Sequence, residues 1–210
     1  MTHLWRNSLA AVLAAIVLIS SSAAARAEFF VTSLLGGNFQ GLSSLHRYDD
    51  AGNLITTYTN GNSLAASSAI AFGPDGKLYV GSFGQIYTFD TQAETFSLFA
   101  NLPPDMSEPE DPQAQTPGAM RFGPDGNLYV GEQLGPSLCV YSSTGTLLDT
   151  ISDAVDSVGG IAFLPTGGNS FDLLLSDLNT GAIKRVDIPL GGDVTTFATL
   201  DVGSMPTGMM

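Results

Sequence analysis

Residues 72–80 read Phe-Gly-Pro-Asp-Gly-Lys-Leu-Tyr-Val, and residues 122–130 read Phe-Gly-Pro-Asp-Gly-Asn-Leu-Tyr-Val. The two nonapeptides differ only at Lys77 and Asn127, and a glycine follows each of them. In such a phrase, proline presets φ at the first turn position, aspartate can bond its own backbone, and glycine supplies a positive φ. The alternating Leu-Tyr-Val that follows is typical of a strand. Each copy therefore predicts a strand, a tight turn and a second strand.

The apolar stretch before this turn occurs a third time in the chain, where no copy of the turn phrase follows it. Phe72, Phe122 and Phe163 end the three stretches, so that successive copies are 50 and 41 residues apart. A period of this length fits the four-stranded blade of a β-propeller. We therefore predict an all-β fold, a propeller of four-stranded antiparallel blades with about four blades present.

The repeats divide the chain into blades after an N-terminal leader. Within a propeller domain at 28–210, blade 1 covers 28–66, blade 2 covers 67–115, blade 3 covers 116–157 and blade 4 covers 158–203. Blade 1 begins at a second strand, and 204–210 resemble the beginning of a first strand. Two interpretations follow. Either 204–210 complete blade 1 and close the ring, or the chain is a fragment of a larger ring whose next blade begins there.

Alternation along the first two strands of each blade predicts which side chains pack between neighbouring blades. The expected set is Ile70, Phe72, Leu78, Val80, Met120, Phe122, Leu128, Val130, Ile161 and Phe163. One hairpin departs from the common pattern. Residues 164–170 read Leu-Pro-Thr-Gly-Gly-Asn-Ser in place of Gly-Pro-Asp-Gly, so we expect a longer and looser hairpin in blade 4.

Residues 1–27 are predicted to be a signal peptide. An unbroken apolar run covers 9–19, and Ala25-Arg26-Ala27 fits the small-residue pattern of a cleavage site. A membrane anchor is the alternative interpretation, although the run is shorter than the roughly 20 residues that a membrane span needs. We expect an exported bacterial protein that is periplasmic, extracellular or attached to the cell surface.

The chain is acidic, with a formal net charge of −13. Loss of the leader removes Arg6 and Arg26 and no acid, which makes the charge more negative still. Such a chain repels nucleic acid and anionic membranes, and neither is an expected partner. The acidity fits either simple solubility or a site that recruits cations. The partners we expect at the propeller face are a small molecule, a glycan or a protein.

Few side chains suit catalysis. Cys139 is the only cysteine, so no internal disulfide is possible, and its apolar strand predicts a buried thiol. His46 is the only histidine after the leader and lies in an alternating strand pattern. No Ser-His-Asp set, phosphate-binding glycine loop or cysteine-based metal motif is present. No catalytic constellation is evident.

The repeated phrase resembles that of NHL-repeat propellers. It is also similar to the senescence-marker-protein/gluconolactonase-like superfamily of six-bladed propellers and to virginiamycin B lyase-like propellers. The resemblance covers nearly all of 28–210. It implies a central funnel that holds one divalent metal, often Ca²⁺, through Glu, Asn and Asp side chains. The lyase-like members use histidine, a chemistry that His46 alone supports poorly.

Three residues are the metal candidates that this resemblance implies. Asp177 and Asn179 lie in Ser-Asp-Leu-Asn-Thr-Gly, which resembles the Asp-x-x-Asn turn of NHL repeats, and Glu132 occupies the matching place one blade earlier. Carboxylate and amide oxygens suit a hard cation. The alternative is that these residues cap turns. By the same turn chemistry, Asp75 and Asp125 are expected to serve the fold on the opposite face.

The connection at 101–117 is long and carries four prolines before Pro117. Its acids are Asp105, Glu108, Glu110 and Asp111, and long loops in compact domains are often functional. The connection joins a fourth strand to the next first strand, so the resemblance places it on the ligand face of a propeller. The alternative is a solvated insertion without a ligand.

Three hypotheses for function remain. The first is an exported scaffold that binds a ligand or protein without catalysis. The second is a Ca²⁺-dependent lactonase of the gluconolactonase-like kind, in which the metal polarises the lactone carbonyl and lowers the pKa of a bound water. The third is a fragment whose site is shared with blades outside this chain.

Overall fold

The computed structural model describes residues 28–34, 42–67, 69–103, 116–133, 135–152, 154–188 and 193–201. The predicted signal peptide, the four acids of the insertion and residues 204–210 lie outside these ranges, so their assignments stay predictions. Within the described ranges the chain forms β-strands and one short 3₁₀ turn at Asn60–Asn62.

The strands form four antiparallel sheets in which strand order follows chain order. Blade 1 contains β1 (Phe29–Leu34), β2 (Ser43–Tyr48) and β3 (Leu54–Tyr58), and blade 2 contains β4 (Ile70–Phe72), β5 (Leu78–Ser82), β6 (Gln85–Asp90) and β7 (Thr95–Asn101). Blade 3 contains β8 (Pro117–Phe122), β9 (Leu128–Glu132), β10 (Leu138–Tyr141) and β11 (Leu147–Ile151), and blade 4 contains β12 (Val158–Gly167), β13 (Ser170–Asp177), β14 (Ala182–Val186) and β15 (Val194–Thr199). The predicted all-β fold of four-stranded antiparallel blades is confirmed, although blade 1 has three strands among the described residues.

The repeated phrase forms the predicted hairpin turn. In blade 2 the Gly73 N–H donates to the Lys77 carbonyl at 2.8 Å, and the Gly76 N–H donates to the Gly73 carbonyl at 3.0 Å. Gly76 takes a φ of 78°, which only glycine adopts without strain. Asp75 Oδ1 accepts the Lys77 N–H at 3.2 Å. Blade 3 repeats all three bonds, at 2.9, 3.0 and 3.1 Å.

A tyrosine of the following strand fastens to each turn. Tyr79 donates its hydroxyl hydrogen to Asp75 at 3.4 Å, and Tyr129 donates to Asp125 at 3.1 Å. Burial and the Asp75 carboxylate raise the pKa of Tyr79 to about 12. The first glycine of the phrase admits the ring, because a Cβ on Gly73 would lie 2.5 Å from the Tyr79 ring.

The same tyrosine ring also joins its blade to the next one. Phe122 of blade 3 packs edge to face on Tyr79 of blade 2, with the ring centroids 4.8 Å apart. Phe163 of blade 4 packs on Tyr129 in the same way, with the centroids 5.0 Å apart. Phe30 holds the equivalent place in blade 1 and meets Phe72 at 6.1 Å. Such aromatic pairs stabilise a contact by about 1 kcal/mol, in addition to the free energy gained from burying their apolar surface.

Three apolar clusters fill the spaces between consecutive blades. Inner strands approach closely there, and a Cβ on Gly131 would overlap Val158 of the next blade. The side chains predicted between blades pack in these clusters, with one exception. Phe72 is 57% exposed, because its neighbour β1 has no first strand beside it among the described residues.

The first hairpin of blade 4 is longer than those of blades 2 and 3, as predicted, but the prediction that it would be looser is wrong. β12 and β13 stay paired until Gly167 meets Ser170, so that a two-residue turn joins them. Gly168 is the first of the two central residues and takes a φ of 60°, as a two-residue hairpin turn with glycine in that position requires. Phe163 and Phe171 pack at 5.4 Å along the extended hairpin.

We expect the bond between Tyr129 and Asp125 to show as a coupling energy. A double-mutant cycle with Asp125→Ala and Tyr129→Phe should give about 1 kcal/mol, because the cycle isolates the hydrogen bond while phenylalanine keeps the ring against Phe163. Urea unfolding followed by circular dichroism measures it. Asp193→Ala, at an exposed position, is the control, and a coupling within about 0.3 kcal/mol of zero would contradict the assignment.

Candidate functional site

Three consecutive blades end their second strand on a buried polar side chain. Ser82, Glu132 and Asp177 are the last residues of β5, β9 and β13, and all three are buried. The repeated turn phrase lies at the other end of β5 and β9. The three polar residues therefore mark the face opposite Asp75 and Asp125.

The same backbone hydrogen bond follows these residues in blades 2, 3 and 4. The residue after the second strand donates its N–H to a carbonyl in the connection that precedes the same blade. The pairs are Phe83 to Ala65 at 2.8 Å, Gln133 to Thr116 at 2.9 Å and Leu178 to Ser157 at 3.0 Å. The Ser82 hydroxyl adds two bonds to the backbone of Ala65. The loops of this face are thus held to one another.

Asp177 caps the turn that follows its strand. Its carboxylate accepts hydrogen bonds from the Thr180 hydroxyl at 2.7 Å, the Asn179 N–H at 3.0 Å and the Asp156 N–H at 3.4 Å. Burial alone would raise the pKa of this carboxyl, but these donors outweigh burial and lower the pKa. Asp177 is therefore an ionised group that braces its own loop.

The structure brings two of the three predicted metal ligands into one turn. Asn179 is exposed and meets Asp177 through its backbone N–H, while Glu132 lies in the neighbouring blade. Within the described ranges, no group of three or more His, Cys, Asp or Glu side chains could hold a metal ion. The metal assignment of Glu132, Asp177 and Asn179 stays a prediction.

Glu132 is a buried carboxylate close to the only cysteine. Its side chain covers Gly135, where a Cβ would overlap the carboxyl group. Burial raises the pKa of the Cys139 thiol, and the Glu132 charge raises it further. A buried thiol with a raised pKa is a poor nucleophile, in agreement with the structural role expected for Cys139.

Both ends of the long insertion attach to this face. At its start the Leu102 N–H donates to the carbonyl of Gly84 in the hairpin after β5, at 2.9 Å. At its end the Thr116 carbonyl accepts the Gln133 N–H after β9. Asp105, Glu108, Glu110 and Asp111 lie outside the described residues. Their connection nevertheless leaves and rejoins the fold beside Ser82 and Glu132.

Ser33, His46 and Thr57 form a hydrogen-bonded row across blade 1. The sequence analysis did not predict this row. Ser33 Oγ lies 2.6 Å from His46 Nε2, and His46 Nδ1 lies 3.0 Å from Thr57 Oγ1. The arrangement has the distances of a nucleophile, a base and an orienting group. Its three members are far apart in the chain and meet only through strand pairing.

Equivalent positions in blades 3 and 4 show that these contacts follow the sheet register. Cys139 pairs with Thr150 and Lys184 pairs with Thr196, in the places that His46 and Thr57 hold in blade 1. The Lys184 ammonium donates to Thr196 at 3.0 Å, and the Cys139 sulfur lies 3.9 Å from Thr150. Cross-strand pairs of this kind stabilise sheets, and the recurring fourth-strand threonine was the available sequence signal.

A groove of about 210 Å³ lies on the opposite face, between two hairpin turns of blade 2. Its lining residues are Asp75, Gly76, Lys77, Asp90, Thr91 and Gln92. Asp90 accepts the N–H groups of Gln92 and Ala93, each at 2.9 Å, and these bonds lower its pKa. Its carboxylates serve their own turns, and the groove offers no catalytic group.

No family model and no curated protein matches the chain. Among solved structures, a virginiamycin B lyase from Staphylococcus aureus is 18% identical, with a TM-score of 0.58 over 79% of this chain and 52% of that one. An extracellular domain of a candidate one-component system from B. thetaiotaomicron is 16% identical, with a TM-score of 0.58 over 81% and 23%. A candidate gluconolactonase is 17% identical, with a TM-score of 0.57 over 83% and 70%.

These likenesses confirm the propeller fold that the repeated phrase predicts, of the kind found in gluconolactonase-like and lyase propellers. At such identities they concern the fold alone. The chain spans about half the length of the lyase structures it matches. Among the described residues, no helix combines the length and apolarity that crossing a bilayer requires.

Asp177→Asn should lower the free energy of unfolding by about 1–3 kcal/mol at pH 7, because it weakens hydrogen bonds to a charged acceptor. The native pKa is lowered, so the carboxylate stabilises the fold above its unfolded pKa of about 3.9, and this contribution is lost as the pH falls through the native value. The difference between wild type and variant should therefore shrink on acidification. Urea unfolding at several pH values measures it.

Asn179→Ala is the matched control for this experiment, since Asn179 is exposed and uses its backbone N–H. Its effect should stay within about 0.5 kcal/mol at every pH. An Asp177→Asn loss of equal size at pH 3 and pH 7 would contradict the ionised role of Asp177.

Proposed function

We propose that this protein is an exported β-propeller that binds a small molecule, a glycan or a protein on the face of Ser82, Glu132 and Asp177. The observation that carries the proposal is the bracing of this face. In three blades the same backbone bond ties the loop after the second strand to the connection before the first. A surface whose loops are held before binding loses less conformational entropy when a partner arrives.

The polar groups of this face support a binding role over a catalytic one. The Ser82 hydroxyl bonds the backbone of Ala65, and the Asp177 carboxylate bonds three donors of its own loops. Side chains engaged in this way shape a surface and are poorly placed to move protons. The acidic insertion starts and ends on the same face, which favours ligands with basic or hydroxyl groups.

A Ca²⁺-dependent lactonase is the second candidate. Two buried carboxylates, Glu132 and Asp177, occupy equivalent positions in adjacent blades. Carboxylate oxygens are among the ligands that Ca²⁺ prefers. The fit is incomplete, because Asp177 already accepts three hydrogen bonds and no group of three acidic, histidine or cysteine side chains among the described residues could hold a metal ion.

Photo-crosslinking in an exporting bacterial host tests the binding face. A photoreactive amino acid at Asn179 lies on the proposed face, and one at Lys77 lies on the opposite face. Both positions are exposed turn residues, so the two variants form a matched pair. We expect adducts from position 179 in the exported fraction. Adducts from position 77 alone, equal adducts from both, or none from either would contradict the proposal.

A calcium titration distinguishes the two candidates. The scaffold proposal expects no hydrolysis of an aldonolactone above the rate seen with Glu132→Gln, with or without Ca²⁺. Thermal unfolding and lactone hydrolysis are measured on both proteins in calcium and in a chelator. A calcium-dependent rise in the unfolding temperature, together with hydrolysis that Glu132→Gln abolishes, would establish the lactonase instead.

A further inference from the structure

Ser67 is a buried serine whose hydroxyl has no hydrogen-bond partner among the described residues. The residue is 3% exposed and lies in the connection that leads into blade 2. Ala65, two residues earlier, is bonded to the Ser82 hydroxyl and the Phe83 N–H, so Ser67 belongs to the proposed binding face. A buried hydroxyl without a partner is costly, because it has given up its hydrogen bonds to water. Native structures keep few such groups, and each requires a specific explanation.

The backbone beside Ser67 is strained. Ala66 takes a φ of 49°, a left-handed conformation in which the Cβ of an L-residue is crowded. Strain of this kind persists only where the surrounding structure enforces it, and it is concentrated at functional segments. Ala66 is itself buried, so the strain lies in the packed part of the binding face and not in an exposed turn.

Blade 2 has one more residue at this point than blades 3 and 4. Residues 66–68 lie between the carbonyls of Ala65 and Ala69, which accept N–H groups at the end of the second strand. The corresponding stretches of blades 3 and 4 are residues 117–118 and 158–159, each one residue shorter. Blade 2 therefore departs from the repeated geometry in the stretch that carries the unpartnered hydroxyl.

The buried polar side chains around Ser67 are uncharged. In the described parts of blades 1 and 2 the buried polar residues are Ser43, Ser44, Ser67 and Ser82, whereas the buried carboxylates Glu132, Asp172 and Asp177 lie in blades 3 and 4. Ser43 contacts Ser67 directly, since its Oγ accepts the Ser67 N–H at 2.9 Å. A charged ligand group would lose its water here without gaining a counter-charge, whereas a hydroxyl needs only a hydrogen bond. This part of the face therefore favours an uncharged ligand group.

We propose that Ser67 binds a hydroxyl group of a neutral glycan at the start of blade 2. The proposal rests on the binding function proposed above and names the ligand class for the uncharged part of that face. A serine hydroxyl can donate or accept, so a sugar hydroxyl supplies the bond that Ser67 lacks. A glycan carries hydroxyl groups along its length and no charge, so it can also lie against the carboxylates of Glu132 and Asp177 without repulsion.

The buried position of Ser67 requires the connection to shift when the glycan binds. The left-handed φ of Ala66 makes this shift less costly, because the conformation of the free protein is already strained. The new hydrogen bond to Ser67 then offsets the contacts that the connection gives up. Strain and the unpartnered hydroxyl thus act in the same direction, toward the bound state.

Thermal unfolding in the presence of neutral tetrasaccharides tests the proposal. The probes are cellotetraose, maltotetraose, mannotetraose and N-acetylchitotetraose at equal concentration, with deacetylated chitotetraose and tetragalacturonate as charged counterparts. We expect at least one neutral probe to raise the unfolding temperature of the wild type by about 2 °C or more through mass action. Ser67→Ala should lose most of this rise. General stabilisation by sugars excluded from the surface affects both proteins equally.

The free protein supplies a second readout. Ser67→Ala should raise its unfolding temperature by about 2–4 °C, because the substitution removes a buried hydroxyl that no bond satisfies. Ser63→Ala is the matched control, since Ser63 is exposed in the same connection and bonds Asn60 through its backbone N–H. It should change neither the unfolding temperature of the free protein nor the rise with glycan.

Four results would overturn the proposal: no rise with any neutral probe, a rise only with a charged probe, an equal rise in Ser67→Ala, or a free Ser67→Ala protein less stable than the wild type. Photo-crosslinking at position 179 reports on the binding face separately. Adducts there without a rise in any neutral glycan would keep the face as a binding surface and exclude the glycan at Ser67.

Discussion

The structure depends on one side chain that performs two tasks, the tyrosine in the second position of the second strand. Its hydroxyl fastens to the aspartate of the preceding turn, and its ring receives a phenylalanine from the next blade. Turn geometry and blade stacking are thereby coupled, because a tyrosine displaced by a distorted turn also loses its neighbour. The glycine that opens the phrase is part of the same device, since any side chain there would collide with the ring.

The bonds on the other face have a different character. They join backbone atoms, as in Phe83 to Ala65 and Leu178 to Ser157, and require no particular side chain. Polar residues beside them add bonds whose chemistry varies from blade to blade, from the Ser82 hydroxyl to the Asp177 carboxylate. The face of the turn phrase therefore repeats the same residues in blades 2 and 3. The opposite face repeats the same backbone geometry with different polar residues in each blade, an arrangement that suits recognition of a partner.

The fold was predictable from the sequence because its main signal is local. The turn phrase, the alternation after it and the spacing of Phe72, Phe122 and Phe163 all lie within or between short stretches. The site was predictable only in part. Asp177 was identified from its turn, but its donors include an N–H twenty-one residues away in the preceding connection. The contact of Ser33 with His46 depends on register between strands, and the exposure of Phe72 depends on what lies beside blade 1. None of these has a local pattern.

The anchoring of the 101–117 connection has a consequence for protein engineering. Leu102 and Thr116 are held by bonds to hairpins of two different blades, so the two ends keep their positions whatever peptide runs between them. The entropic cost of closing a loop grows only slowly with its length. This connection is therefore a suitable place to insert a foreign recognition peptide. Such an insertion should leave the packing between the blades unchanged.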